Sequence, residues 1–127
     1  MDKVLQEIIK KAKKDKKVLA VALFGSTARG EKHPRDIDVC IFLKPGEFVK
    51  DDLFDIQLKY TPCSEKYDVQ VFQALPLYIQ EEIMNDAKFL FVKNEDAMYD
   101  LLYYAQKQCN DLKGYFKEYL EVVLYGT

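Results

Sequence analysis

The sequence has few of the residues that build metal or disulfide frameworks. It contains one histidine and three cysteines, Cys40, Cys63 and Cys109. The cysteines are odd in number and widely spaced, without a CxxC pair or a histidine cluster, which excludes a recognisable structural zinc site. Unpaired cysteines suit a reducing compartment, so we expect a cytoplasmic protein.

The sequence also lacks long hydrophobic runs and a strong excess of one charge. No apolar run approaches the roughly 18 residues of a membrane span, and the first seventeen residues are too rich in lysine for a signal peptide. A net charge of −2 argues against strong nucleic-acid binding. Residues 1–17 contain seven lysines, but their apolar residues recur at helical spacing, which indicates a solvated helix face.

The chain has the size and pattern of one small α/β (α+β) domain. Its 127 residues suffice for a single core, so we expect one domain over 1–127, with a core over about 1–92 and a helical extension over about 94–125. Four short runs rich in β-branched and apolar residues predict strands at 18–24, 36–43, 67–72 and 88–92. Helices are predicted before the first strand and at 51–58 and 76–87.

The C-terminal residues predict a long helix with one continuous apolar seam. Asn94 is a suitable N-cap. The seam repeats at alternating steps of three and four residues: Leu102, Ala105, Cys109, Leu112, Phe116, Tyr119 and Val123. Thirty helical residues extend about 45 Å, so part of the helix should overhang or bend, most easily near 110–114. Packing on the sheet and an interface with a second chain, including a homo-oligomer, both explain the seam.

Two aspartates begin the second predicted strand, in the sequence "DID". Alternate residues of a strand share a face, so Asp36 and Asp38 should point the same way while Ile37 points into the core. Two parallel carboxylates repel each other unless a cation lies between them. Oxygen ligands of this kind suit Mg²⁺, although an isolated DxD is more often the solvent-exposed start of a strand.

A glycine-containing loop, "GSTARG", lies between the first strand and these aspartates. Gly25 allows close approach of the backbone to a ligand, Ser26 offers a hydroxyl and an N–H, and Arg29 has a planar set of donors that suits phosphate oxygens. The Gly-Lys-Ser/Thr ending of a Walker A loop is missing. The loop therefore indicates phosphate binding of a different type, or else a plain surface turn.

Taken together, the Gly25-Ser26 pair, a nine-residue spacer and Asp36-Ile37-Asp38 resemble the signature of the nucleotidyltransferase superfamily that includes DNA polymerase β. The similarity is greatest to its minimal nucleotidyltransferase (MNT) members. The resemblance implies a small mixed sheet with helices packed on one side. It also implies a third carboxylate on a neighbouring strand, for which Asp68 is the matching position.

The resemblance further implies a Mg²⁺-dependent enzyme that moves a nucleoside monophosphate, here AMP from ATP, to a hydroxyl group. Two Mg²⁺ ions would be held by Asp36, Asp38 and Asp68, and the β and γ phosphates by Gly25, Ser26 and Arg29. Minimal members often act as antitoxins beside helical HEPN ribonuclease toxins, and some adenylylate a tyrosine of the toxin. The specific hypothesis is therefore a protein adenylyltransferase with a HEPN-type partner.

Two alternatives remain open from the sequence. One is a non-catalytic antitoxin that keeps the fold and masks its HEPN partner without turning over nucleotide. The other is transfer to a small molecule or to an RNA end, which the short chain disfavours because such enzymes generally need further substrate-binding elements. The position of Asp68 relative to Asp36 and Asp38 distinguishes a complete metal site from an incomplete one.

Overall fold

The computed structural model of the chain describes residues 3–25, 36–46 and 50–126. Two of the predicted phosphate ligands, Ser26 and Arg29, lie outside the described residues. The strands are β1 (Val18–Phe24), β2 (Ile37–Leu43), β3 (Tyr67–Val71) and β4 (Lys88–Val92). The helices are α1 (Lys3–Lys14), α2 (Leu53–Tyr60), α3 (Leu77–Asp86) and α4 (Glu95–Tyr125), with short 3₁₀ turns at Lys50–Asp52 and Phe72–Ala74.

The four strands form one mixed sheet in the order β3-β2-β1-β4. Strand β1 pairs antiparallel with both β2 and β4, and β2 pairs parallel with β3. All four predicted strands are confirmed, and the mixed sheet agrees with the predicted fold. The parallel pair is the part of the sheet that carries the predicted carboxylates, because Asp38 lies on β2 and Asp68 on β3.

Helices cover both faces of this sheet, so the expectation of helices on one side is wrong. Val39 and Ile41 of β2 belong to a core cluster that also contains residues of α1 and α2. Cys40 and Phe42, which alternate with them, belong to a second cluster with residues of α3 and α4. The physical reason lies in the strands themselves: β1 and the last five residues of β2 are continuous apolar runs, and a strand that is apolar on both sides needs cover on both sides.

Helix α4 is a single helix of 31 residues whose two halves lie in different surroundings. Its N-cap is confirmed, since the Asn94 side chain accepts a hydrogen bond from the Ala97 N–H at 3.0 Å. Four buried residues attach the first half to the domain: Met98, Leu101, Ala105 and Cys109. Residues 110–124 are all exposed. The predicted overhang is thus confirmed, and the helix is not broken at 110–114.

Asp15, just after α1, joins three parts of the domain. Its carboxylate accepts hydrogen bonds from the Tyr60 hydroxyl at 2.6 Å, from Lys59 Nζ at 3.0 Å and from the Lys17 N–H at 3.0 Å. Its carbonyl oxygen accepts from Lys93 Nζ at 2.6 Å. Burial alone would raise the pKa of Asp15, but these hydrogen bonds favour the ionised form more strongly and lower the pKa to about 2.

Candidate nucleotidyl-transfer site

The backbone of Gly25, directly after β1, lies against the carboxylate of Asp38. Strand β1 ends at Phe24, which pairs directly with Asp38 across the antiparallel ladder. Gly25 has φ +69°, in the left-handed region that favours glycine. A Cβ placed on Gly25 would overlap Asp38 Oδ2. Both the backbone angle and the space therefore require glycine at this position, while the close approach of this backbone to a ligand stays a prediction.

Asp38 and Asp68 lie side by side on neighbouring strands. They are partners in the parallel register of β2 and β3, in which strands lie about 4.8 Å apart. The residues before them, Ile37 and Tyr67, also pair and point to the opposite face, into the α1 and α2 cluster. Asp38 is half-buried and Asp68 is exposed. Two carboxylates from different segments of the chain thus meet at one edge of the sheet.

Asp36 lies one residue before the start of β2, in a bend, and is exposed. Ile37 contacts the α1 and α2 cluster, as predicted for the residue between the two acids. Over residues 3–25, 36–46 and 50–126, no group of three or more His, Cys, Asp or Glu side chains is arranged to hold a metal ion. The described geometry therefore brings together Asp38, Asp68 and Gly25, whereas the role of Asp36 as a third ligand stays a prediction.

Two glutamines that the sequence analysis did not select contact this site. Gln70 Nε2 donates a hydrogen bond to Asp68 Oδ1 at 2.9 Å. Gln57 Nε2, on α2, donates to Val69 O at 3.0 Å and to Gln70 Oε1 at 3.4 Å. The period of two along β3 places Gln70 on the same face as Asp68, so the sequence contained a signal for Gln70. No local pattern could have found Gln57, because its contact depends on how α2 packs.

The buried thiol near these carboxylates has a packing role. Cys40 follows Asp38 by two residues on the same face and belongs to the α3 and α4 cluster. Burial raises the pKa of the Cys40 thiol well above its ordinary value, so the thiol stays protonated at neutral pH. It is therefore not a nucleophile of this site. The chemistry available at the site is that of carboxylate oxygens beside the backbone of Gly25.

The donor set fits a hard divalent cation. Carboxylate oxygens are the ligands that Mg²⁺ prefers, and it commonly takes one or two of them together with phosphate oxygens. Asp38 and Asp68 supply such oxygens from neighbouring strands. The absence of a side chain at Gly25 lets the Asp38 carboxylate lie directly against the backbone at the end of β1. This combination suits a metal-bound phosphate at the end of β1.

Comparison with known families agrees with this geometry. Residues 6–96 match the family "Polymerase beta, Nucleotidyltransferase". This range contains the whole sheet and ends in the first residues of α4. The chain belongs to this nucleotidyltransferase family. The resemblance inferred from Gly25, Ser26 and the DID sequence is confirmed at the family level.

A related member of the family comes from Methanocaldococcus jannaschii and carries the name "Putative protein adenylyltransferase MJ1547". It is 31% identical over 103 residues, which are 80% of this chain and 78% of the relative. The aligned region thus extends beyond the family match and into α4.

Solved structures share the nucleotidyltransferase fold over nearly the whole chain. A chain of a toxin–antitoxin complex with AMP-PNP aligns with a TM-score of 0.67 at 14% identity, covering 95% of this chain and 96% of the other. A chain of the tri-AMPylated Shewanella oneidensis HEPN toxin in complex with its MNT antitoxin aligns with a TM-score of 0.64 at 12% identity. That match covers 94% of this chain and 92% of the other. At these identities the likeness shows the fold alone, including the long C-terminal helix.

Proposed function

We propose that this nucleotidyltransferase transfers AMP from ATP to a tyrosine hydroxyl of a helical HEPN-type toxin, and so acts as the antitoxin of a cytoplasmic pair. The observation that carries the proposal is the register of Asp38 and Asp68 beside the Gly25 turn. The name of the Methanocaldococcus jannaschii relative supports protein adenylylation. The structural neighbours, a toxin–antitoxin complex with AMP-PNP and a complex with a tri-AMPylated HEPN toxin, support the toxin partner and the adenine nucleotide.

The reaction joins the tyrosine oxygen to the α-phosphorus of ATP. The bond between that phosphorus and the oxygen bridging to the β-phosphate breaks, and pyrophosphate leaves. Asp68 is exposed on the edge strand β3, and it takes the proton of the attacking hydroxyl. Gly25, with Ser26 and Arg29 of the following loop, positions the β and γ phosphates.

Asp36, Asp38 and Asp68 are the residues that would hold Mg²⁺, with two ions expected. When bound, the metal offsets the negative charge that develops on the α-phosphate and the leaving group. The closeness of Gly25 to the Asp38 carboxylate supports a phosphate-binding role for the backbone beside these proposed ligands. A larger residue at position 25 would displace the Asp38 carboxylate and should weaken metal binding and phosphate binding together.

The exposed half of α4 is the surface we propose for the toxin partner. Residues 110–124 carry a series of large apolar side chains exposed to solvent: Leu112, Tyr115, Phe116, Tyr119, Leu120, Val122, Val123 and Leu124. Exposed apolar surface of this extent is typical of a protein interface, and aromatic residues are enriched there. An overhanging helix can pack along the helices of a partner while the sheet edge stays accessible.

The test is label transfer from α-labelled ATP, with Mg²⁺, to a purified HEPN-type protein that is the product of a neighbouring gene. We expect label on a tyrosine of that protein, located by mass spectrometry. Asp68→Asn should reduce the transfer rate by about 100-fold or more, because it removes the proton acceptor, and Asp38→Asn should do so by removing a metal ligand. Asp55→Asn, an exposed acid on α2, is the matched control and should keep the wild-type rate. No label with any divalent metal and no nucleotide binding would contradict the proposal.

A non-catalytic antitoxin is the second candidate function. It is favoured by the finding that the described acids, with their side chains as they lie, do not form a group of three around one ion. Such a protein would inhibit the toxin by masking it. Inhibition that needs no ATP and survives both Asp38→Asn and Asp68→Asn would establish masking in place of transfer.

A further inference from the structure

The carboxylate of Asp68 is held by a short chain of amide groups that begins on another element. Gln70 Nε2 donates to Asp68 Oδ1 at 2.9 Å, and Gln57 Nε2 donates to Gln70 Oε1 at 3.4 Å. The same Gln57 nitrogen donates to the backbone carbonyl of Val69 at 3.0 Å. The chain thus runs from α2, on one face of the sheet, around the edge strand β3 to the carboxylate on the other face.

The direction of every hydrogen bond in this chain is determined by its two ends. The Val69 carbonyl can only accept, so the amide nitrogen of Gln57 must face it. The second hydrogen of that nitrogen then points to Gln70, whose carbonyl oxygen accepts it. The amide nitrogen of Gln70 is consequently turned toward Asp68, and a carboxylate is an acceptor too. Both ends require the same amide orientation, so the arrangement is self-consistent.

Asp68 needs such support because its surroundings restrain it little. It lies on an edge strand and is exposed, whereas Asp38 is half-buried and is packed against Gly25. An exposed aspartate samples several side-chain rotamers, and each one carries the carboxylate to a different place. A hydrogen bond to Oδ1 selects one of them and leaves Asp68 the lone pairs of Oδ2.

We propose that Gln70, itself oriented by Gln57, is a positioning residue that fixes the Asp68 carboxylate in register with Asp38. This inference rests on the proposed function, since it assigns the reason for the positioning to metal binding and AMP transfer. Gln57 acts only through Gln70. Partners of this kind, which orient a ligand without touching the metal, typically change metal affinity or activity by 10- to 100-fold when they are removed.

The test uses methionine, which keeps the length of glutamine and removes its amide. Gln70→Met should lower kcat for AMP transfer by about tenfold and leave the KM for ATP within about twofold, because the phosphates are held by the other side of the site. Gln57→Met should lower kcat by a smaller factor, about threefold. Gln108→Met, an exposed glutamine on α4, is the matched control and should keep the wild-type kcat.

The double variant tests whether the two glutamines act as one chain. If Gln57 works through Gln70, the Gln57→Met, Gln70→Met protein should have the same kcat as Gln70→Met alone. Losses that multiply would show two independent effects and would overturn the proposed chain. Equal kcat values for Gln70→Met and the wild type would overturn it as well. A melting temperature that falls in parallel with kcat across the variants would assign the glutamines a structural role instead.

Mn²⁺ binding in the absence of ATP separates this inference from the proposed function. The electron paramagnetic resonance signal of the free ion measures this binding. Gln70→Met should weaken Mn²⁺ binding by about tenfold. If Gln70→Met weakens Mn²⁺ binding while the wild-type protein transfers no AMP, the positioning role is supported and only the transferase function is contradicted. Unchanged binding, or a wild type that neither binds Mn²⁺ nor transfers AMP, would overturn the positioning role.

Discussion

The two halves of α4 have the same apolar spacing but lie in different surroundings. In the first half the seam faces the domain: its members Ala105 and Cys109 are buried, and Ala105 packs in the cluster with α3 and the sheet. In the second half the seam residues Leu112, Phe116 and Tyr119 are exposed. Helical spacing therefore identifies an apolar face but does not say what covers it. That depends on how far the domain extends beside the helix, and the last buried residue among those described in the helix is Cys109.

Replacement of one leucine by alanine in each half is the test with the largest expected effect on the free energy of unfolding. Leu101 is 8% exposed and Leu112 is 51% exposed. Leu101→Ala should lower the free energy of unfolding by about 2–4 kcal/mol, because it removes buried methyl groups and leaves a cavity. Leu112→Ala should change it by no more than about 0.5 kcal/mol. Urea unfolding of the isolated chain measures both, and similar losses would show that the second half packs on the domain in solution.

Binding to the proposed HEPN-type partner tests the exposed half directly. Phe116→Ser with Tyr119→Ser should weaken the affinity by about tenfold or more, since buried aromatic side chains dominate most interfaces. The matched control is Tyr99→Ser with Tyr103→Ser, an exposed aromatic pair on the anchored half with ring centroids 6.3 Å apart. Titration calorimetry measures both. An effect confined to the control pair would move the docking surface to the anchored half.

Acid should lower the free energy of unfolding of the domain, because it protonates Asp15. Its pKa is lowered to about 2 in the folded chain, below the value of about 3.9 in an unfolded chain. The ionised form is thus favoured by folding, so this stability is fully present above about pH 4 and is lost as the pH falls toward 2. After allowance for solvent screening of Lys59, the loss should be about 1–2 kcal/mol.

The matched variant for that experiment is Asp15→Asn, which should remove the part of the pH dependence between 4 and 2 while lowering stability at pH 7. Unfolding in urea at a series of pH values measures both proteins. A stability of the wild type that does not change between pH 4 and 2 would contradict the prediction. Helicity of the overhanging half, which does not contact Asp15, should show no corresponding step.

Much of the fold was predictable because the strands are short and strongly patterned. The boundaries of β1 and β4 agree with the prediction, and those of β2 and β3 differ by one residue. The placing of helices was harder. The apolar runs of β1 and β2 already indicate two buried faces, yet the resemblance suggested cover on one side only. Which helix covers which face follows from chain connections and packing, which leave no local pattern in the sequence.

The residues of the candidate site also differ in how far the sequence could predict them. The motif around Gly25, Asp36 and Asp38 was visible because its members are close in the sequence and each residue type has a chemical reason. Asp68 came from the family resemblance, and its pairing with Asp38 is a finding of the sheet register. Gln57 was not predictable, because its contact with Gln70 joins a helix and a strand through a single pair of amides.

The sequence by itself determined the strands and helices and predicted the residues of the candidate site. Hydrophobic periodicity and turn residues act over a few neighbours, so they specify local elements, whereas the phosphate-binding role of the loop stays a prediction. The tertiary structure alone decided which strands pair in parallel, and so which carboxylate lies beside Asp38. It also decided where the cover of α4 ends and how Gln70 is held. These are contacts between residues far apart in the chain, and their free energies depend on the packing of the whole domain.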